Sequence, residues 1–219
     1  MITVYAFKWV PPFAQGLVRD LRVRWALEEA GIPYATKLLG QGDQDTPEYR
    51  AIQPWGQVPA IEEDGLVLFE SGAIVLHIAE RSEALMPRDA AGRAKTIQWM
   101  AAAMDSVDNW IGQLVDIDLF HAGEAWAAER RPAAEEMVKR RLAPLAARLD
   151  GGEWLEGRFT AGDLMMATVL RNLRQTDLVT ADPVLGPYLA RCEARPAFQR
   201  ALEAQLAPFR ENEPQMEPA

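Results

Sequence analysis

Gln53-Pro54-Trp55-Gly56-Gln57-Val58-Pro59-Ala60 leads into a short apolar run, Ala60-Ile61, followed by Glu62-Glu63-Asp64-Gly65, a second run from Leu66 to Phe69, and Glu70-Ser71 ahead of Gly72 to Arg81. Asp-Gly between two apolar runs predicts a β-hairpin, because a tight hairpin turn needs positive φ at its centre. Ser71 is placed to cap the helix that follows by accepting a bond from an amide of its first turn. Just ahead of the hairpin, a cis Val58-Pro59 bond would cost only about 0.5–1 kcal/mol. In that form the Val58 backbone is turned outward with its amide and carbonyl unpaired. In the trans form the same residues make a plain turn, and both forms are open at this point.

Working outward, Ile2-Thr3-Val4-Tyr5-Ala6-Phe7 is β-branched and aromatic, and Pro11-Pro12 end any ladder after it. From about Gln15 to Ala30, Leu17, Leu21 and Trp25, with Val18 one position over, recur at helical spacing, and Gly31-Ile32-Pro33 stops the helix. Tyr34 to Leu39 reads as a second strand and Gly40 to Thr46 as an exposed loop. A β-α-β unit, with its strands parallel, is therefore followed by β-β-α, complete by about residue 82.

Pro87-Arg88-Asp89 marks a connector, after which only helical patterns remain. Trp99, Met100, Ala103, Met104 and Val107 repeat with helical period, and so does the stretch from Met137 to Leu145, which Pro144 should bend or interrupt. Thr160-Ala161-Gly162-Asp163 has the spacing of a helix cap with a carboxylate three positions on. Pro183, Pro187 and Pro196 punctuate two more helices, and Glu211 to Ala219 reads as a frayed tail. The fold class is α/β plus all-α. The expected boundaries are an α/β domain over 1–82, a linker over 83–90, a helical domain over 91–210 and a flexible tail over 211–219.

Composition narrows the function. Of 219 residues, 49% are apolar and 25% charged, as in a globular chain with a core. A net charge of −9 repels phosphate backbones and anionic headgroups, so neither nucleic acid nor membrane is an expected partner. One cysteine and two histidines, Cys192, His77 and His121, cannot build a four-ligand cage, so no metal is expected. No apolar run approaches the ~20 residues of a membrane-spanning helix. A lone thiol, read as a small buried hydrophobe, and no signal-peptide pattern point to a cytoplasmic location.

The residues around the hairpin point to chemistry. An unpaired Val58 backbone can accept an extended peptide as an added strand, so that the site reads main chain. Glu70 and Ser71 at a helix start can hold a zwitterion: the carboxylate pairs with an ammonium, while the hydroxyl and free amides take a carboxylate. That matches the γ-glutamyl end of a peptide. Simple capping of the helix is the alternative.

The succession Pro54-x-Gly56-x-Val58-Pro59, hairpin, Glu70-Ser71 resembles the glutathione transferase superfamily. The resemblance extends over Leu21 to Gly31, Leu68 to Ile74, Phe159 to Asp163, Tyr188 to Arg191 and Arg195-Pro196-Ala197. It implies a thioredoxin-like amino-terminal domain, a helical carboxy-terminal domain forming one wall of an electrophile pocket, and a homodimer. It further implies glutathione as co-substrate, held by Gln57, Val58, cis Pro59, Glu70 and Ser71, with a detoxifying transfer to a small hydrophobic electrophile. Isomerisation, reduction or a non-catalytic binding role are the alternatives.

In that family a Tyr, Ser or Cys near the first strand or helix serves the thiol, but Lys8 to Gly16 contains none of these, nor a Thr. Lowering a thiol pKa by two units takes about 2.7 kcal/mol. A helix amino terminus and a guanidinium can supply it, which makes Arg19 the first candidate and Tyr5 the second. Trp9, Phe13, Met100 and Met104 are the candidate pocket lining, since aromatic and thioether groups suit an apolar electrophile.

Overall fold

The computed structural model describes residues 1–214; part of the expected tail, 215–219, lies outside the described residues. The chain forms two compact units, Met1–Ser82 with the C-terminal helix, and Glu83–Arg195.

In the first unit, β1 (Ile2–Phe7), β2 (Tyr34–Leu39), β3 (Ala60–Glu63) and β4 (Leu66–Phe69) form one sheet in the order β2-β1-β3-β4. β1 runs parallel to β2, from Ile2 opposite Tyr34 to Phe7 opposite Leu39, and antiparallel to β3, with Val4 opposite Ile61. β3 and β4 are the expected hairpin, and its turn places Asp64 at φ 50° and Gly65 at φ 88°, the positive values that an Asp-Gly pair tolerates. Tyr5, Leu39, Tyr49, Val58 and Ala60 form a buried cluster, with Phe7, Val18, Ile52 and Phe69 packed on it.

The helix between β1 and β2, α1 (Asp20–Ala30), starts later than the expected Gln15. Residues 11–17 form successive tight turns instead, with Ala14 N bonded to Pro11 O and Leu17 N to Ala14 O, and Gly16 at φ 77° breaks the helical path. Gly31 closes α1 at φ 66°: its amide bonds Glu28 O and that of Ile32 bonds Leu27 O, so the last carbonyls are satisfied. A helix absent from the expected order, α2 (Pro47–Arg50), follows β2, with Thr46 Oγ1 accepting from Tyr49 N and Pro47 at its first position. After β4 comes α3 (Ser71–Ala79).

The second unit contains α4 (Ala90–Ala101), a π-helical stretch Ala102–Asp108, α5 (Asn109–Phe120), α6 (Ala125–Leu149), α7 (Ala161–Leu170) and α8 (Leu185–Glu193). The bend expected at Pro144 is not a break: α6 runs through both Pro132 and Pro144. Thr160 and Asp163 make the expected capping box, and Asp163 also accepts from Leu155 N at 3.0 Å and Tyr188 Oη at 3.1 Å. This is a folding element.

The last helix, α9 (Pro196–Glu211), groups with the first unit rather than with the helices that precede it in the chain. It packs along α1 through Trp25 and Phe198, edge to face at 4.8 Å, and through Arg200 Nε to Glu28 at 2.7 Å. Gln205 adds a buried bond to the Asp20 carboxylate, which also takes Arg24 Nε at 2.7 Å. These partners are far apart in sequence, and periodicity alone does not pair them. Among the described residues, no helix is long and apolar enough to cross a membrane, and no group of three or more His, Cys, Asp or Glu side chains is placed to hold a metal ion.

Candidate functional site

The turn before β3 is held rigidly by buried polar groups. Gln53 is 2% exposed, and its Oε1 accepts from Trp55 N at 2.7 Å and Gln57 N at 3.2 Å. Tyr49 Oη donates to Gln57 O at 2.7 Å, so the Gln57 backbone is pinned from both sides. Gly56 sits at φ 63°, and a Cβ there would lie 2.7 Å from Gln44 O, so the loop needs glycine for both conformation and space.

The next peptide bond, Val58-Pro59, is cis. β3 begins only at Ala60, which is paired to Tyr5 on one side and Phe69 on the other. Among the described residues the Val58 amide and carbonyl enter no backbone hydrogen bond. They are the unpaired main-chain pair that an extended peptide could extend as a strand.

Glu70 and Ser71 stand at the end of β4. Glu70 adopts φ 69°, ψ 113°, a conformation that costs a side-chain-bearing residue energy, and its carboxylate is exposed. The expected cap is different in detail. Ser71 is the first helical residue, the N-cap position falls on Glu70, and neither makes a side-chain capping bond. The first intrahelical bond of α3 runs from Ile74 N to Glu70 O, so among the described residues the amides of Ser71, Gly72 and Ala73 head the helix with no backbone partner a turn earlier. Ser71, 5% exposed, instead receives a hydrogen bond from Arg22 Nη1 at 3.3 Å, and Arg22 is itself 4% exposed on α1.

The two candidates for the thiol fall elsewhere. Tyr5 is 1% exposed inside the sheet cluster, with its ring 5.6 Å from that of Tyr49 and its hydroxyl bonded by Lys37 Nζ at 3.4 Å. Burial, and after it a bond to Glu62, pushes the Tyr5 phenol up from its ordinary value. A thiol could reach it only by opening the core. Arg19 is exposed at the N-cap of α1. The start of that helix is less electropositive than expected: Leu21 N and Arg22 N already bond Val18 O and Arg19 O, and a buried carboxyl, Asp20, occupies its first turn.

A cleft of about 560 Å³ opens in the first unit between the ends of β1 and β2, lined by Phe7, Lys8, Trp9, Val10, Gln41 and Gln44 among others. Of the pocket candidates, Trp9 lines this cleft and Phe13 is exposed nearby in sequence. Met100 is 3% exposed on α4 and offers a ligand almost no surface, while Met104 is half-buried in the π-helical stretch. Burial also pushes the thiol of Cys192, 0% exposed, far above its ordinary value.

Sequence reasoning missed Arg22, since the arginines at 19, 22 and 24 look alike in sequence; only packing shows that Arg22 and Arg24 are both buried and that Arg22 is the one bonded to Ser71. It missed Gln53 and Tyr49 as well. The Thr46-Pro47 pair was a readable signal for α2, and α2 is what carries Tyr49.

Comparisons with known proteins bear on the fold and the family. The family model for the glutathione S-transferase N-terminal domain matches residues 21–81. The disulfide-bond oxidoreductase YfcG of Escherichia coli strain K12 is 31% identical over 192 residues, covering 82% of this chain and 88% of that protein. A glutathione transferase from Burkholderia graminis, solved with two glutathione molecules bound per subunit, shares 32% identity with a TM-score of 0.80, covering 93% of this chain and 88% of that one. A glutathione transferase from Pseudomonas putida, solved with one glutathione disulfide per subunit, shares 28% identity with a TM-score of 0.79 and covers 92% and 90%. With a thioredoxin-like sheet, a cis proline at the head of β3 and relatives matched over most of their length, this chain belongs to the glutathione transferase family.

Proposed function

We propose that the protein binds glutathione along the Val58 backbone and delivers its thiol to a small electrophile in the cleft beside β1. The observation that carries this reading is the unpaired Val58 backbone ahead of cis Pro59, next to the free amides of α3 and the strained, exposed Glu70. The cysteinyl part adds to Val58 as a strand, with Gln57 beside it. The γ-glutamyl ammonium pairs with Glu70, and its carboxylate meets Ser71 and the first amides of α3. Glutathione is the only co-substrate, with no metal, and a cytoplasmic homodimer active in detoxification goes with this reading.

Thiol activation falls to the surroundings of the cleft, where Lys8 supplies a cation. Titrating glutathione into the protein while following thiolate absorbance near neutral pH tests the proposal. A saturable rise that tracks calorimetric binding supports activation. Binding without any rise supports the catalytically silent alternative.

A second reading, glutathione-driven disulfide reduction, is favoured by the relative named a disulfide-bond oxidoreductase and by the stretch Lys8 to Gly16 without Ser, Thr, Tyr or Cys. In exchange, a thiolate of one glutathione attacks a substrate disulfide and expels one thiolate. A second glutathione then attacks the mixed disulfide, giving glutathione disulfide and the second thiol. No protein cysteine takes part, which fits the burial of Cys192. Turnover of 2-hydroxyethyl disulfide against 1-chloro-2,4-dinitrobenzene separates the two reactions.

A further inference from the structure

We propose that Arg22 is a positioning residue that fixes the direction of the Ser71 hydroxyl proton and so makes the head of α3 selective for a carboxylate. Arg22 Nη1 lies 3.3 Å from Ser71 Oγ, and both side chains are buried, at 4% and 5% exposure. A guanidinium carries only donors. Ser71 Oγ must therefore accept from Arg22, and its own proton is left to point away from Arg22, into the space that the amides of Ser71, Gly72 and Ala73 at the head of α3 also face. All the groups converging there are then donors: one hydroxyl and three amides. Such a set favours an anion with several acceptor lone pairs and penalises an ammonium or a neutral amide N–H.

The exposed carboxylate of Glu70 has the opposite sign, so the two residues read the two charges of an α-amino acid head in one orientation only. With an uncharged partner that could accept, such as a glutamine, the Ser71 proton could turn inward and the selectivity would fall. Arg22 never touches the ligand in this arrangement; it acts through Ser71.

The assignment rests on the glutathione reading above, and its test separates the two. Glutathione, and an analogue without the α-carboxylate, 4-aminobutyryl-cysteinyl-glycine, are titrated calorimetrically into the unaltered protein, Arg22→Gln, Arg22→Lys, Ser71→Ala and the Arg22→Gln/Ser71→Ala double variant. Arg22→Gln and Ser71→Ala should each weaken glutathione by about tenfold or more, the range of a bond to a charged group. The double variant should be no weaker than the worse single one, because both remove one unit. Arg22→Lys, still a donor-only cation, should keep most of the affinity, and the analogue should bind Arg22→Gln as it binds the unaltered protein.

A purely structural role would weaken both ligands alike, and that result, or unchanged glutathione affinity in Arg22→Gln, overturns the assignment while leaving the glutathione site standing. No glutathione binding by the unaltered protein overturns both. Should the Arg22 variants fail to fold, a crystal structure of the unaltered protein with glutathione decides. Ser71 Oγ about 3 Å from the α-carboxylate with the Arg22 contact kept supports the assignment. Arg22 swung onto the carboxylate itself refutes it.

Discussion

Replacing Glu70 by glycine should make the free protein more stable and worse at holding glutathione. Glu70 occupies φ 69°, ψ 113°, in the region where only glycine is at ease. Holding a side-chain-bearing residue there costs about 1–3 kcal/mol. Glycine relieves that strain but has more freedom to lose on folding, which offsets about 0.5–1 kcal/mol. The carboxylate itself is exposed, so its removal takes little from the fold. The balance is a stabilisation of about 1 kcal/mol, which for a chain of this size raises Tm by about 2–4 °C. Calorimetric melting of the ligand-free protein reads this term, and glutathione titration of the same sample reads the loss of the partner for the ammonium. A fall in Tm would refute the strain argument, and unchanged glutathione affinity would refute the role given to the carboxylate.

Tyr49→Phe removes the bond to Gln57 O and should weaken glutathione binding through a looser Val58, with a loss of stability of about 1 kcal/mol, measured by calorimetry and denaturant titration. The Arg81 guanidinium, and after it His77, holds the Glu63 carboxyl down at about 2. A depressed carboxylate stabilises the fold fully above its unfolded value of 4.5 and loses that contribution as pH falls toward about 2. Glu63→Gln should therefore melt at a lower temperature than the unaltered protein at neutral pH, and the difference should shrink below pH 4.5 and close as pH reaches about 2. Cys192, buried and with a raised pKa, should resist iodoacetamide in the native protein and react once unfolded, as read by intact mass; Cys192→Ala should leave glutathione turnover unchanged.

The parts of the fold and of the site that were legible in the sequence are those written in local chemistry. Asp64-Gly65 demands a tight turn, Val58-Pro59 allows a cis bond, and Thr160 with Asp163 spells a capping box, and each appears where its residues place it. The parts that were not legible depend on packing between distant segments. Periodicity from Leu17 onward could not show that residues 11–17 turn repeatedly before α1, nor could it say that α9 returns to α1 through Trp25 and Phe198. Three arginines on one helix look alike in sequence, yet Arg19 is exposed while Arg22 is buried against Ser71. Tyr5 alternates correctly for a strand, but which face of the sheet receives α2 and Tyr49 decides that its hydroxyl is sealed in. Proline in a helix is a penalty, not a prohibition, and α6 continues through two of them.

The most direct measurement is the amide resonance of Val58 in ¹⁵N-labelled protein during a glutathione titration. Addition of a peptide strand to the unpaired backbone ahead of cis Pro59 predicts a large, saturable downfield shift of that amide, with Ser71, Gly72 and Ala73 moving at the same concentration. Calorimetric binding of glutathione that leaves the Val58 amide where it was would contradict the account.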